Sequence, residues 1–303
     1  MSILVVGSVA FDTVKTPLGH VEDVLGGSAS YFSVAASFFA PVHLVAVVGQ
    51  DFEESHARIF RERGVDLGGL TKVPGRTFRW SGAYGEDLNQ RTTLSTELNV
   101  FEHFRPTLSD WLKKCEFLFL ANIDPDLQRS VLEQVKRPRL VACDTMNFWI
   151  AGKPESLRKT LEKVDVLLIN DEEARQLAGE TNTVRAARRI LSWGPTSLIV
   201  KRGEYGAALY NNHSHFAVPA YPLLDPVDPT GAGDSFAGGF MGYLARAGSV
   251  SNTTIRQALI AGSVMASFCV EDFSLRRFES LRPEEIRTRL QEFRRMTEFE
   301  DLV

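Results

Sequence analysis

Short runs of β-branched and other apolar residues recur at Ile3–Gly7, Leu44–Gly49, Phe117–Ala121, Leu140–Asp144, Val166–Asn170 and Leu198–Arg202. Each is bounded by turn residues and is too short and too continuous for a surface helix, so each reads as a buried strand. Between them, polar and apolar positions alternate with helical period. Helices are expected at Ser28–Phe39, Phe52–Arg63, Asp126–Val135, Pro154–Lys163, Asp171–Ala178, Val184–Ser192, Ser235–Arg246, Thr254–Val270 and Pro283–Arg295. This rhythm predicts an α/β fold with a mostly parallel sheet and helices on both faces. Ligands of such sheets bind beyond the carboxyl ends of the strands, so the residues just after each run carry functional weight.

One segment departs from the rhythm. Thr77–Tyr84 and Arg91–Thr96 alternate polar and apolar residues around Gly85-Glu86-Asp87-Leu88-Asn89-Gln90, as a half-exposed hairpin does. There is no solenoid-type repeat and no low-complexity linker, and 303 residues with 44% hydrophobic content suffice for one large domain, residues 1–303. A net charge of −4 argues against a broad nucleic-acid or anionic-membrane surface. Cys115, Cys143 and Cys269 are odd in number and widely spaced, which implies neither a disulfide framework nor a zinc site. A cytoplasmic location is expected. Met1–Gly7 is too short for a signal core or a membrane span and reads as the first strand.

The richest stretch is Asp228-Pro229-Thr230-Gly231-Ala232-Gly233-Asp234, followed by Ser235-Phe236-Ala237-Gly238-Gly239-Phe240. Gly231, Ala232 and Gly233 let backbone N–H groups approach an anion closely, and a helix opening near Asp234 turns its positive end toward them. Asp234 could then accept the proton of a hydroxyl attacking a bound phosphate. A plainer account makes Asp234 an N-cap and the glycines a tight turn. Gly238-Gly239 inside the helix, at about 1 kcal/mol each relative to Ala, suggests close backbone packing against the sheet or a ligand.

This run resembles the C-terminal signature of the PfkB carbohydrate kinases, the ribokinase-like family. The resemblance implies a ribokinase-like three-layer α/β sandwich with a small β lid, formed here by about 9–16 and 76–98. It also implies ATP and Mg²⁺ as cofactors, Asp234 as catalytic base and the Gly231–Gly233 amides as anion hole. Asn170-Asp171-Glu172-Glu173 is by itself a capping box. It is also similar to the family's Asn-x-x-Glu motif, which implies that Asn170 and Glu173 hold the water shell of Mg²⁺ and the nucleotide phosphates. By the same similarity Lys201, Arg202, Gly203, Gly206 and Thr230 line the nucleotide, with Ala261, Gly262 and Met265 near its base.

On the acceptor side, Asp12 could take two sugar hydroxyls, and Gly26-Gly27 resemble the family's N-terminal Gly-Gly motif. Ser28 and Tyr31 stand where that motif usually has asparagine. Tyr31 could stack on a base or bind a sugar, which keeps a nucleoside acceptor open. Asn122 and Asp124 are expected to face the acceptor, and Arg76, Arg79 and Trp80 to reach it from the lid. Asp144 to Asn147 is similar to an Asp-x-Asn element, one residue longer, and reads as a loop bordering the site. Asp228 and Thr230 match positions near a monovalent-cation site of some relatives, so K⁺ is a candidate, although Glu271–Leu275 replaces the Gly-Ala pattern that completes it.

The expected activity is transfer of the γ-phosphate of ATP to a small sugar or a ribose-bearing nucleoside, with homodimerisation through an open lid edge. Two other classes compete. Gly233-Asp234-Ser235 spells the start of a serine-esterase block, but it lies late in the chain and no histidine has Asp three residues before it. A non-catalytic nucleotide-binding regulator on the same fold is the other.

Overall fold

The computed structural model describes residues 1–211, 214–298 and 300, so the last part of the expected 1–303 domain lies outside the described residues. In chain order the strands are β1 Ile3–Val6, β2 Ala10–Thr16, β3 Gly19–Gly26, β4 Val42–Val48, β5 Asp66–Lys72, β6 Phe78–Tyr84, β7 Arg91–Glu97, β8 Phe117–Leu120, β9 Leu140–Asp144, β10 Val166–Asn170, β11 Ser197–Lys201, β12 Ala207–Asn211 and β13 His215–Val218. The helices are α1 Ser28–Ser37, α2 Glu54–Glu62, α3 Pro125–Leu132, α4 Asn147–Gly152, α5 Pro154–Leu161, α6 Asp171–Ala178, α7 Thr183–Leu191, α8 Ala232–Ala247, α9 Asn252–Cys269, α10 Arg276–Ser280 and α11 Pro283–Thr297.

The main sheet has the order β13-β12-β11-β10-β9-β8-β1-β4-β5. It is parallel from β11 to β5, with β12 and β13 added antiparallel at one edge. β1 lies inside the sheet and is buried throughout, which is why its sequence is apolar without alternation. Its side chains still alternate in direction: Ile3 and Val5 join the core containing α1, α8 and α9, while Leu4 and Val6 join the core containing α3, α5, α6 and α7. No helix among the described residues is long and apolar enough to cross a membrane.

α8 sits between α1 and α9, and its glycines make that possible. A Cβ at Gly238 would overlap the Phe32 carbonyl of α1, and one at Gly239 would stand 2.7 Å from the Ala261 carbonyl of α9. The paired glycines therefore serve helix–helix contact, not contact with the sheet or a ligand.

A second sheet, β3-β2-β6-β7, forms the lid. β2 and β6 pair in parallel and place Asp12 opposite Trp80. β3 extends the lid beyond the two segments expected from the sequence. Val14 and Val21 pack with Phe273, Trp80, Tyr84 and Val227, which ties the lid to the segment after α9.

Candidate active site

The chain enters α8 through Gly231, whose φ of 77° lies in the left-handed region and whose Cα faces the ring of Tyr31 with no room for a Cβ. The helix begins at Ala232, three residues earlier than its sequence pattern suggested, so Asp234 lies inside the first turn and is not the N-cap. The Ala232 amide donates to the Pro229 carbonyl at 3.2 Å. First-turn amides have no carbonyl four residues back within a helix, which leaves those of Gly233 and Asp234, with Gly231 before them, as the donors available to an anion.

Three strand ends converge on this helix terminus. β9 ends in Asp144 and β11 in Lys201, whose Nζ lies 3.0 Å from Asp144 Oδ2. The absence of a side chain at Gly233 admits the Lys201 ammonium, which would stand 2.9 Å from a Cβ there. Burial would lower the Lys201 pKa, but Asp144, Glu173 and Asp234 together hold it above its ordinary value. β10 ends in Asn170, and the capping box forms in full: Glu173 N–H donates to Asn170 Oδ1 at 2.7 Å and Asn170 N–H donates to Glu173 Oε2 at 2.9 Å. The box aims Glu173 inward, where burial and Asp144 push its carboxyl to about 7. Asp234, half-buried among these groups, is pushed to about 8 by burial and then by Asp144, against the pull of Lys201.

On the lid side, Asp12 is only 4% exposed. Its carboxyl occupies the space a Gly26 side chain would need, and burial outweighs the Gly27 amide bond to raise it to about 7. Gly27 has φ 90° and packs its Cα on the Ser8 carbonyl. Ser28 is tied to Ser8, with its N–H donating to Ser8 Oγ at 3.0 Å. Tyr31 is 1% exposed and wedged against Gly231, so it cannot stack on a base; its hydroxyl is buried without a hydrogen-bond partner among the described residues. Asn122 Oδ1 is likewise buried and unpartnered.

Thr230 bridges body and lid. Its N–H donates to Asp228 Oδ1 at 2.8 Å and its hydroxyl to the Tyr84 hydroxyl at 3.2 Å. The second Asp228 oxygen is buried with no hydrogen-bond partner among the described residues, which fits a monovalent cation. Burial raises the Asp228 carboxyl, and the Ser274 amide, in the segment replacing the Gly-Ala pattern, works against that rise. Among the described residues no cluster of three or more His, Cys, Asp or Glu forms a protein cage for a metal. Glu173 fits a Mg²⁺ held through water and phosphates, since a carboxyl raised to about 7 by burial gains from a nearby cation.

Several expected residues make other contacts within the protein. Arg79 pairs with Asp51 and Asp23, and Arg76 faces Glu97 at 3.8 Å. Asp124 caps α3 and binds Lys153 at 2.7 Å. Arg202 turns to the Tyr205 carbonyl, while Asn147 opens α4 where a loop was expected. Gly262 packs on Phe236, and Ala261 and Met265 are fully buried, so this face of α9 is core. Gly206, with φ 84°, packs on the Val218 carbonyl. Gly203, with φ 54°, faces Asn89 of the lid. Ser235 is fully buried and, among the described residues, its hydroxyl meets no histidine, which counts against the esterase reading. Hollows of about 390 Å³ beside Arg188 and Ser192, and about 230 Å³ beside His56 and Ser274, contain none of the groups gathered around Asp234.

Tyr84 and Arg91 are site groups that the sequence did not single out. Asp144 was expected only as part of a bordering loop; its pairing with Lys201, 57 residues away, has no local signal.

The fold is that of the ribokinase-like sugar and nucleoside kinases. A candidate ribokinase II from E. coli, solved with ATP and Mg²⁺, superposes with a TM-score of 0.80 at 21% identity, covering 96% of this chain and 99% of that one. The nucleoside kinase of Methanocaldococcus jannaschii gives 0.76 at 20% identity over 96% and 98%. The chain belongs to the pfkB family of carbohydrate kinases, whose pattern spans residues 2–280, and it is a phosphotransferase. In sequence it is 29% identical over 257 residues to the cytidine kinase of Thermococcus kodakarensis, covering 81% of this chain and 89% of that protein. It is 25% identical over 286 residues to the nucleoside kinase of Methanothermobacter thermautotrophicus, covering 89% of each.

Proposed function

We propose that this protein transfers the γ-phosphate of ATP to a hydroxyl of a small ribose-bearing substrate, a nucleoside or a sugar. The observation that carries this reading is the half-buried Asp234 carboxyl in the first turn of α8, beside unclaimed amides and the Lys201 ammonium. Asp234 takes the proton of the acceptor hydroxyl as its oxygen bonds to the γ-phosphorus and the bond to the bridging oxygen of ADP breaks. The Gly231, Gly233 and Asp234 amides with Lys201 stabilise the charge on the phosphoryl group, and that stabilisation supplies the larger share of the rate. Asp12 and Asn122 hold the acceptor. Mg²⁺, held by Glu173 through water, would supply charge neutralisation on the phosphates.

The cytidine and nucleoside kinases among the relatives favour a nucleoside over a free sugar. Tyr31 does not take part in base recognition, because its ring is enclosed against Gly231. The open, fully exposed β7 edge supports pairing of two lids in a homodimer. The test is ADP release from Mg²⁺–ATP across nucleosides, sugars and sugar phosphates. Nucleoside-only turnover selects the narrower reading, sugar-only turnover discards it, and silence with every acceptor leaves a non-catalytic nucleotide-binding regulator.

A further inference from the structure

The lid carries a cation next to the residue that joins it to the α8 approach. Asp87 knits the tip loop: Oδ1 accepts from the Asn89 N–H at 3.0 Å and side-chain amide at 3.1 Å, and Oδ2 from the Gln90 side chain at 2.9 Å. Asn89 is seated against Gly203 on the nucleotide side, in the space a side chain there would fill. At the other end of the same turn, Tyr84 meets Thr230, directly before Gly231. Arg91 follows this loop and is the cross-strand partner of Tyr84. It is thus held between a contact to the nucleotide loop and a contact to the segment that forms the anion hole.

The Arg91 guanidinium leans on Trp80, 5.5 Å from the ring centroid, and among the described residues it has no ion pair or hydrogen bond. Other lid arginines differ: Arg79 is bound by two aspartates and Arg76 by Glu97. The charge of Arg91 is felt by Asp12 on the acceptor side, by Glu173 on the nucleotide side and by Asp234 between them. Set opposite Tyr84, which meets Thr230, and felt by all three carboxyls, this cation is placed to serve the phosphotransfer site proposed above.

We infer that Arg91 is a catalytic residue that binds the phosphoryl group in flight, donating from the lid while the α8 amides and Lys201 donate from the body. The inference rests on the phosphotransfer reading above. A planar fork of N–H donors suits the equatorial oxygens of a transferring phosphoryl group, and fixing it beforehand avoids reorganisation during the reaction. The group gains negative charge as the bond to ADP breaks and passes it to the bridging oxygen, so an arginine above it favours the transition state over bound ATP.

The test compares wild type, Arg91→Ala, Arg91→Lys and Arg76→Ala with the best acceptor found in the ADP-release screen. Arg91→Ala is expected to lower kcat about 10²-fold or more. The KM of the acceptor should stay within about threefold, Arg91→Lys should recover only part of the rate, and added guanidinium should restore some turnover to Arg91→Ala. Arg76→Ala should match wild type. Unchanged kcat in Arg91→Ala overturns the inference, as does a raised acceptor KM with kcat preserved. If wild type turns over no acceptor, the phosphotransfer reading itself fails, which separates that failure from this one.

Discussion

Lys201 Nζ lies 3.0 Å from Asp144 Oδ2 and directly beside Gly233, at the end of α8 where the helix dipole disfavours a cation. Surrounding carboxyls hold it there, and an incoming phosphate would gain from both the ammonium and the helix end. Lys201→Met strands the buried Asp144 carboxyl and should lower stability by about 3–5 kcal/mol. Asp144→Asn should cost less, because Glu173 and Asp234 still compensate the ammonium. Urea unfolding of the two variants checks the order, and the reverse order would count against the pairing as described.

Asp234→Asn keeps the shape of the first turn and removes the proton acceptor. Turnover should fall about 10²-fold or more while nucleotide affinity persists. Steady-state kinetics with calorimetric titration of ATP decides it: near-normal turnover would end the base assignment.

Asp12 and Glu173 are raised to about 7 and Asp234 to about 8. Folded values above the unfolded ones favour the fold with the protons on, so this stability is full below the unfolded carboxyl range and is lost as pH rises through about 7 to 8. The Tm of the nucleotide-free protein should therefore drop between about pH 5 and about pH 9, and less so for Asp234→Asn. Catalysis has the opposite sign: kcat/KM should rise with pH toward a plateau above about 8, the value at which Asp234 gives up its proton. A flat profile in both measurements would contradict the burial of these carboxyls.

Gly231 and Gly64 share left-handed backbone, with φ of 77° and 69°, but only Gly231 faces an obstacle, the Tyr31 ring. Replacement by Ala at Gly64 should cost about 1 kcal/mol from conformation alone. The same change at Gly231 should cost more and remove activity by shifting the α8 terminus. Equal Tm losses would show that Tyr31 yields.

The unpartnered Asp228 oxygen leads to a cation test. Exchange of Na⁺ for K⁺ should raise turnover in wild type and leave Asp228→Asn unresponsive. Identical rates in the two salts would assign that oxygen no cation.

The parts of the molecule that were legible from the chain alone are those with local signals. α6 matches its expected bounds because Asn170 and Glu173 cap its start and Gly179, in left-handed backbone, ends it. The beginning of α8 was misjudged because a left-handed Gly231 N-cap has no side chain to announce it. β5 went unread since Gly68 and Gly69 break the apolar run; Gly69 is glycine because β4 leaves a Cβ only 2.7 Å from the Leu44 carbonyl. Asp234 and the glycine turn were readable as a contiguous motif. The pairing of Asp144 with Lys201 and the place of Arg91 opposite Tyr84 were not, because only the sheet and the lid bring these residues together.

Asp12 belongs to β2 of the lid, whereas Asp234 belongs to α8 of the body. If Asp12 anchors the acceptor and Asp234 is the base, as proposed, a lid that lifts would carry one away from the other, and an open molecule would have no completed chamber in which water could stand in for the alcohol. Idle breakdown of ATP would then be restrained by architecture, since the same movement that admits the guest would dismantle the apparatus that could squander the nucleotide.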